Sequence, residues 1–258
     1  MNALIALADM LDILLPAFVA GLLVITTHIP LGFKVLERGI IFMDLAIAQV
    51  AGLGALLVTV VVGENAPPWL SQSGAVVIAL AAALMLMRTA RWAPRYQEPM
   101  IGSLFVLAAT AALLILAGDP HAGEHMTDLL SGQILWVSRG QLLSSGAITG
   151  VLLVALWVSR GHREAFYGLF AIAITVSVQL VGVYLVFATL ILPALATVRI
   201  RDARRRYRAA MWLATLAYAL GLTGSALWDL PSGPLIVWAL AVCGSAVAVV
   251  EWKRSQPV

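Results

Sequence analysis

Charged residues are scarce in this chain. Only 11% of its 258 residues are Asp, Glu, Lys or Arg, whereas 62% are hydrophobic. So few polar side chains cannot cover a water-soluble core, and the mean hydropathy of +0.97 indicates that a lipid bilayer is part of the solvent. The composition therefore predicts an all-α, polytopic membrane protein and excludes a soluble domain.

Cysteine and nucleotide-binding motifs are scarce as well. Cys243 is the only cysteine, which excludes an internal disulfide and a cysteine metal cage. No Gly-rich loop followed by Lys and Ser or Thr is present, so any ATP chemistry must belong to a partner. The net charge of +3 is explained by basic membrane loops, and we expect no nucleic-acid partner. With Asp9 and Asp12 near its start and no basic region before them, the chain is expected to carry no removable signal peptide.

Hydrophobic runs bounded by charges, Pro or Gly predict eight to nine transmembrane helices in a single transmembrane domain, residues 1–258. As one helix, residues 165–198 would be about 50 Å long, too long for a hydrocarbon core of about 30 Å. We therefore break that run at Val181-Gly182. The resulting spans are 13–32, 40–63, 73–88, 100–117, 142–159, 165–181, 183–198, 210–228 and 233–250.

The basic residues predict which side of the membrane each loop occupies. Segments 33–39, 88–98, 160–164, 199–209 and 251–258 alternate to one side and hold 15 of the 16 Lys and Arg residues. The densest cluster has six arginines in the ten residues 199–208. Since basic loops stay in the cytoplasm, we expect the N-terminus outside and the C-terminus inside. The outer loops are then acidic and carry histidine, which suits an arriving cation.

Ionisable residues inside the spans are costly and therefore suggest function. Asp44 lies six residues after Arg38, and His28 lies six residues before Lys34 on the preceding antiparallel span. The two side chains would lie at similar depth and could face one another, with Gln49 nearby. Imidazole, carboxylate and amide groups suit zinc or manganese. In the alternative reading, His28 bonds a carbonyl freed by Pro30, and Asp44 pairs with Arg38 or caps a helix.

A second metal-ligand candidate is the outer loop at about 118–128. Pro and Gly would let the loop wrap its imidazoles and carboxylates around an ion, although it could equally be a solvated acidic loop that binds nothing tightly. The letters HAGEH also match an inverted zinc-peptidase pattern, but Pro120 and Gly123 argue against the regular helix that such enzymes need. The candidate ligands are Asp119, His121, Glu124, His125 and Asp128.

Three segments carry a family resemblance: GFKVLERGIIFMDLAIAQVAGLGAL at 32–56, VGVYLVFATLILPALAT at 181–197 and GLTGSALWDLPSGPLIV at 221–237. DLLSGQILWVSRGQL at 128–142 adds a weaker match. Together they resemble the permease family of bacterial metal-ion ABC importers, the zinc, manganese and iron group. The related siderophore and cobalamin permeases have a similar Gly-to-Pro segment that runs into a basic cytoplasmic turn. By that resemblance, residues 199–209 form the segment that couples to the ATPase, through Arg199, Arg201, Asp202, Arg204, Arg205 and Arg206.

One position departs from the family pattern. The family usually places a His four residues after the intramembrane Asp, whereas here Asp44 is followed at that distance by Ala48. As a hypothesis, His28 from the adjacent span, or His121 and His125 from the outer loop, supplies the missing imidazole.

The resemblance implies a non-enzymatic translocating subunit of the bacterial inner membrane, surrounded by lipid. It would work as a homodimer with a cytoplasmic ABC ATPase dimer and an extracytoplasmic metal-binding protein. No permanently bound cofactor is expected; the metal is cargo, most often zinc and then manganese. The competing interpretation is an ATPase-independent secondary cation transporter or channel that uses Asp44 as an ion or proton relay.

Overall fold

The computed structural model describes residues 2–63, 67–116, 134–159 and 162–254, and it confirms the all-helical prediction. None of these residues forms a strand, and short 3₁₀ turns occur at Pro94–Tyr96 and Ile134–Trp136. The α-helices within these ranges are α1 (Asn2–Arg38), α2 (Met43–Val62), α3 (Pro68–Trp92), α4 (Gln97–Leu116), α5 (Arg139–Val158), α6 (Arg163–Val181), α7 (Val183–Ala196), α8 (Ala203–Trp228) and α9 (Ser232–Arg254).

Eight of these helices are long and apolar enough to cross a membrane. The remaining one, α7, has 14 residues and is about 21 Å long, short of a hydrocarbon core of about 30 Å. The described helices thus agree with the predicted eight to nine spans. An N-terminus outside and a C-terminus inside require an odd number of crossings. The predicted orientation therefore depends on α7 completing a crossing, and it stays a prediction.

The predicted break in the long apolar run lies between α6 and α7. Val181 ends α6, Val183 begins α7, and Gly182 between them has φ of +82°. Glycine adopts this left-handed region without the steric penalty that a Cβ brings. The backbone therefore turns here instead of continuing as one overlong helix.

The start of α8 differs from the predicted span, which began at residue 210. The helix begins seven residues earlier, at Ala203, and takes in most of the arginine cluster. The Asp202 carboxylate accepts a hydrogen bond from the Arg205 backbone N–H at 2.7 Å and so caps the helix. Hydropathy marks where the bilayer begins, whereas a cap marks where the helix begins, and here the two positions differ.

The described helices divide into two compact units. The first unit comprises Met1–Arg38, Leu130–Gly150 and Leu180–Val258. In it, α1 packs on α7 and α8, and α9 packs on α7 and α8. These helices approach closely at glycine: a Cβ on Gly32 of α1 would collide with the Leu190 carbonyl oxygen of α7, and one on Gly221 of α8 would lie 2.6 Å from the Ile236 Cα of α9.

The second unit comprises Gly39–Leu129 and Val151–Gln179. Its helix α2 packs on both α3 and α4. A Cβ on Gly54 of α2 would lie 2.8 Å from the Gly74 carbonyl oxygen of α3, so these two backbones are nearly in contact. The prediction of a single permease domain over residues 1–258 stays a prediction.

Candidate ion-binding site

His28 is held inside α1 by hydrogen bonds on one side of its ring. Its side chain is fully buried, and Nδ1 lies 2.9 Å from the Val24 carbonyl oxygen and 2.9 Å from Thr27 Oγ1. The Thr27 hydroxyl donates to the same Val24 oxygen at 3.0 Å. The acceptor is thus the Val24 carbonyl, one helical turn before His28. The carbonyl that Pro30 leaves without an N–H partner is a different one, that of Thr26. Nε2 is buried and has no hydrogen-bond partner among the described residues.

Asp44 lies in the first turn of α2. Its side chain is 1% exposed, and neither carboxylate oxygen has a hydrogen-bond partner in the described ranges. The N-cap residue of α2 is Phe42, which offers no side-chain cap. Asp44 therefore benefits from the positive end of the helix dipole but makes no capping hydrogen bond. A buried carboxylate in this state needs a cation or a proton to compensate for lost hydration.

The helix geometry of α2 sorts the neighbours of Asp44. Ala48 is buried and lies one turn further on the same face, where the family pattern has its imidazole. Gln49 is half-buried and lies about 140° around the helix axis from Asp44, at about 100° per residue. An ion that meets the Asp44 face of α2 would therefore find the Asp44 carboxylate but not the amide of Gln49.

The two intramembrane candidate ligands lie in different compact units. His28 belongs to the first unit and Asp44 to the second, and their facing one another stays a prediction. The described residues contain no group of three or more His, Cys, Asp and Glu side chains placed to hold a metal ion. The predicted loop ligands lie outside the described residues: Asp119, His121, Glu124, His125 and Asp128.

The basic segment 199–209 is a turn followed by the first two turns of α8. Arg199, Arg201 and Arg204 are exposed, and Asp202 is the helix cap. Two further arginines reach neighbouring helices of the same unit. Arg205 lies 3.4 Å from the Glu251 carboxylate of α9. Arg206 lies 3.5 Å from the Glu37 carboxylate of α1, with its guanidinium 4.7 Å from the centre of the Phe33 ring. The segment is thus attached to the ends of α1 and α9 as well as to α8.

Several of these residues were not predicted from the sequence. No sequence pattern marked Glu37, Glu251 or Phe33 as contact residues. Their partners lie more than 40 residues away along the chain and are brought near only by the fold. Tyr218 is also new: it is fully buried, and its hydroxyl lies 2.8 Å from Thr189 Oγ1 of α7. A lone tyrosine within the apolar run of α8 was the available signal. Glu98, in the first turn of α4, also has one buried oxygen without a partner among the described residues.

Eight helices that are long and apolar enough to cross a membrane, with isolated ionisable groups buried among them, define a multi-pass helical membrane protein. The model of the ABC 3 transport family matches residues 10–163 and 162–250, so the chain belongs to that family. The resemblance to the permeases of bacterial metal-ion ABC importers is thereby confirmed.

The solved structures agree on the fold. The structure of PsaBC from Streptococcus pneumoniae in complex with Fab matches with a TM-score of 0.74 at 17% sequence identity, over 95% of each chain. No curated protein matches the sequence.

Proposed function

We propose that this chain is the translocating subunit of an ATP-driven importer for a divalent metal ion, with zinc favoured and manganese next. The observation that carries the proposal is Asp44. In a member of the ABC 3 transport family, a carboxylate is buried in a candidate membrane span with both oxygens unpartnered among the described residues. A passing divalent cation would supply the missing partner.

The sparse ligand set fits transport better than storage. A closed cage of four protein ligands would hold zinc tightly, whereas conduction requires that the ion also leave. One carboxylate in each copy of a homodimer, with the path between the copies, would bind an ion only in transit. The ion would be delivered by an extracytoplasmic metal-binding protein and would first meet the acidic, histidine-bearing outer loop predicted at 118–128.

The energy for transport would come from a cytoplasmic ABC ATPase dimer docked on residues 199–209. Arg199, Arg201 and Arg204 offer exposed positive charge to an acidic surface. Because Arg205 and Arg206 are bound to Glu251 and Glu37, a displacement of this segment would act on α1, α8 and α9 together. The ATPase hydrolyses ATP, and this chain performs no covalent chemistry.

The test is metal uptake into proteoliposomes that contain the chain and its candidate ATPase, with and without ATP. Asp44→Asn removes the charge and keeps the shape, and we expect zinc uptake to fall by at least roughly tenfold, which corresponds to about 1.4 kcal/mol of lost binding. Asp229→Asn is the matched control, because Asp229 is exposed and its left-handed φ of +52° suits asparagine.

Three outcomes are informative. ATP-dependent uptake that is lost in Asp44→Asn and kept in Asp229→Asn supports the proposal. Uptake without ATP would favour a secondary transporter or channel. If Asp44→Asn takes up zinc as fast as the wild type, the ion-binding role would move to the outer histidine loop.

A further inference from the structure

The hydrogen bonds of His28 fix which ring nitrogen carries hydrogen. A carbonyl oxygen can only accept, so the 2.9 Å contact to Val24 O places the hydrogen on Nδ1. The Thr27 hydroxyl donates its own hydrogen to Val24 O, which leaves its oxygen as a second acceptor for the Nδ1 hydrogen. In the neutral ring, Nε2 then carries the lone pair.

That lone pair is buried and has no donor among the described residues. A buried nitrogen acceptor without a partner is unfavourable unless a ligand supplies one during function. The arrangement is the one that prepares a histidine for metal binding: one ring nitrogen donates to a backbone carbonyl, which fixes the tautomer and the ring orientation, and the other is left to coordinate.

We infer that His28 Nε2 is a ligand of the transported ion and that this imidazole favours zinc over harder cations. This inference rests on the proposed function, since the ion is the cargo of the permease. Carboxylate alone suits magnesium, calcium and manganese, whereas neutral imidazole suits zinc.

The direct test is nuclear magnetic resonance of the full chain, labelled with ¹⁵N at its four histidines, in lipid nanodiscs. His28→Gln identifies the His28 signals by their loss. Thr27→Val identifies them by a shift of Nδ1 should His28→Gln fail to fold. We expect Nδ1 to be protonated and Nε2 to be unprotonated before metal is added. Zinc should then move the Nε2 signal and leave Nδ1 protonated, whereas magnesium should move neither.

Transport provides the second readout. In proteoliposomes with the ATPase, His28→Gln should lower the ratio of zinc to manganese uptake by about tenfold, the lower end of the loss expected when a metal site is impaired. His162→Gln is the matched control, because His162 is an exposed histidine between α5 and α6. It should leave the ratio unchanged.

The two proposals fail in different ways. Wild-type protein that takes up no metal with ATP would overturn the proposed function, whatever the His28 ring does. The His28 inference alone would be overturned if the wild-type protein takes up zinc but the Nε2 signal does not move when zinc is added. The same holds if Nε2 is already protonated before zinc is added. An unchanged zinc-to-manganese ratio in His28→Gln would also overturn that inference.

Discussion

Replacement of Gly221 by alanine should loosen the contact between α8 and α9. The new Cβ would lie 2.6 Å from Ile236 Cα and 2.8 Å from Ile236 N, whereas carbon atoms pack comfortably at about 3.5–4.0 Å. Since these neighbours are backbone atoms, a change of rotamer cannot relieve the overlap. The helix α9 would have to shift by roughly 1 Å.

The net effect is a balance of two terms. Overpacking of this kind costs about 1–3 kcal/mol, and the better helix propensity of alanine returns up to about 1 kcal/mol. We expect a net loss of about 1–2 kcal/mol, because overlap with a backbone is at the severe end of the range. For a chain of this size, the midpoint of thermal unfolding should fall by roughly 2–8 °C.

The assay is thermal unfolding of the purified protein in detergent, followed by the fluorescence of its eight tryptophans. Gly150→Ala in α5 is the matched control: a Cβ there meets nothing within 4 Å, so this variant should be unchanged or slightly more stable. If Gly221→Ala unfolds at the same temperature as Gly150→Ala, the close approach of α8 and α9 is refuted.

Two further substitutions test contacts of the first unit. Tyr218→Phe removes the hydroxyl that meets Thr189 and should cost about 1 kcal/mol of unfolding free energy; a double-mutant cycle with Thr189→Val should show coupling, and strict additivity would contradict the hydrogen bond. Asp202→Ala removes the cap of α8 and should cost about 1 kcal/mol, whereas Asp202→Asn should retain most of the stability; equal losses in the same unfolding assay would count against capping.

The family segments seen in the sequence acquire a physical reason in the fold. Gly32 in the first segment lies against Leu190 in the second, and Gly221 lies against Ile236 within the third. Each glycine permits two helices to approach closely, as small residues do at helix interfaces in membranes. Residues of the family segments are thus contact points between helices: Gly32 between α1 and α7, and Gly221 between α8 and α9.

Local sequence patterns were enough to predict the class of protein and the approximate positions of its membrane spans. Hydropathy, Pro and Gly are local signals, so they predicted the helical membrane fold and the break at Gly182, and they marked Asp44 and His28 as unusual. The family motifs, also local, predicted membership in the metal-ion permeases.

Which polar groups have partners became clear from the three-dimensional packing of the helices. The hydrogen bond between Tyr218 and Thr189 and the contacts of Arg205 and Arg206 join residues at least 29 positions apart in the chain, and no local pattern encodes such pairs. The α8 start at Ala203 depends on the Asp202 cap, whereas hydropathy placed it at the bilayer boundary. The orientation of the His28 ring likewise follows from the contact of its Nδ1 with the Val24 carbonyl oxygen of α1. The spacing of residues along the sequence does not specify that contact.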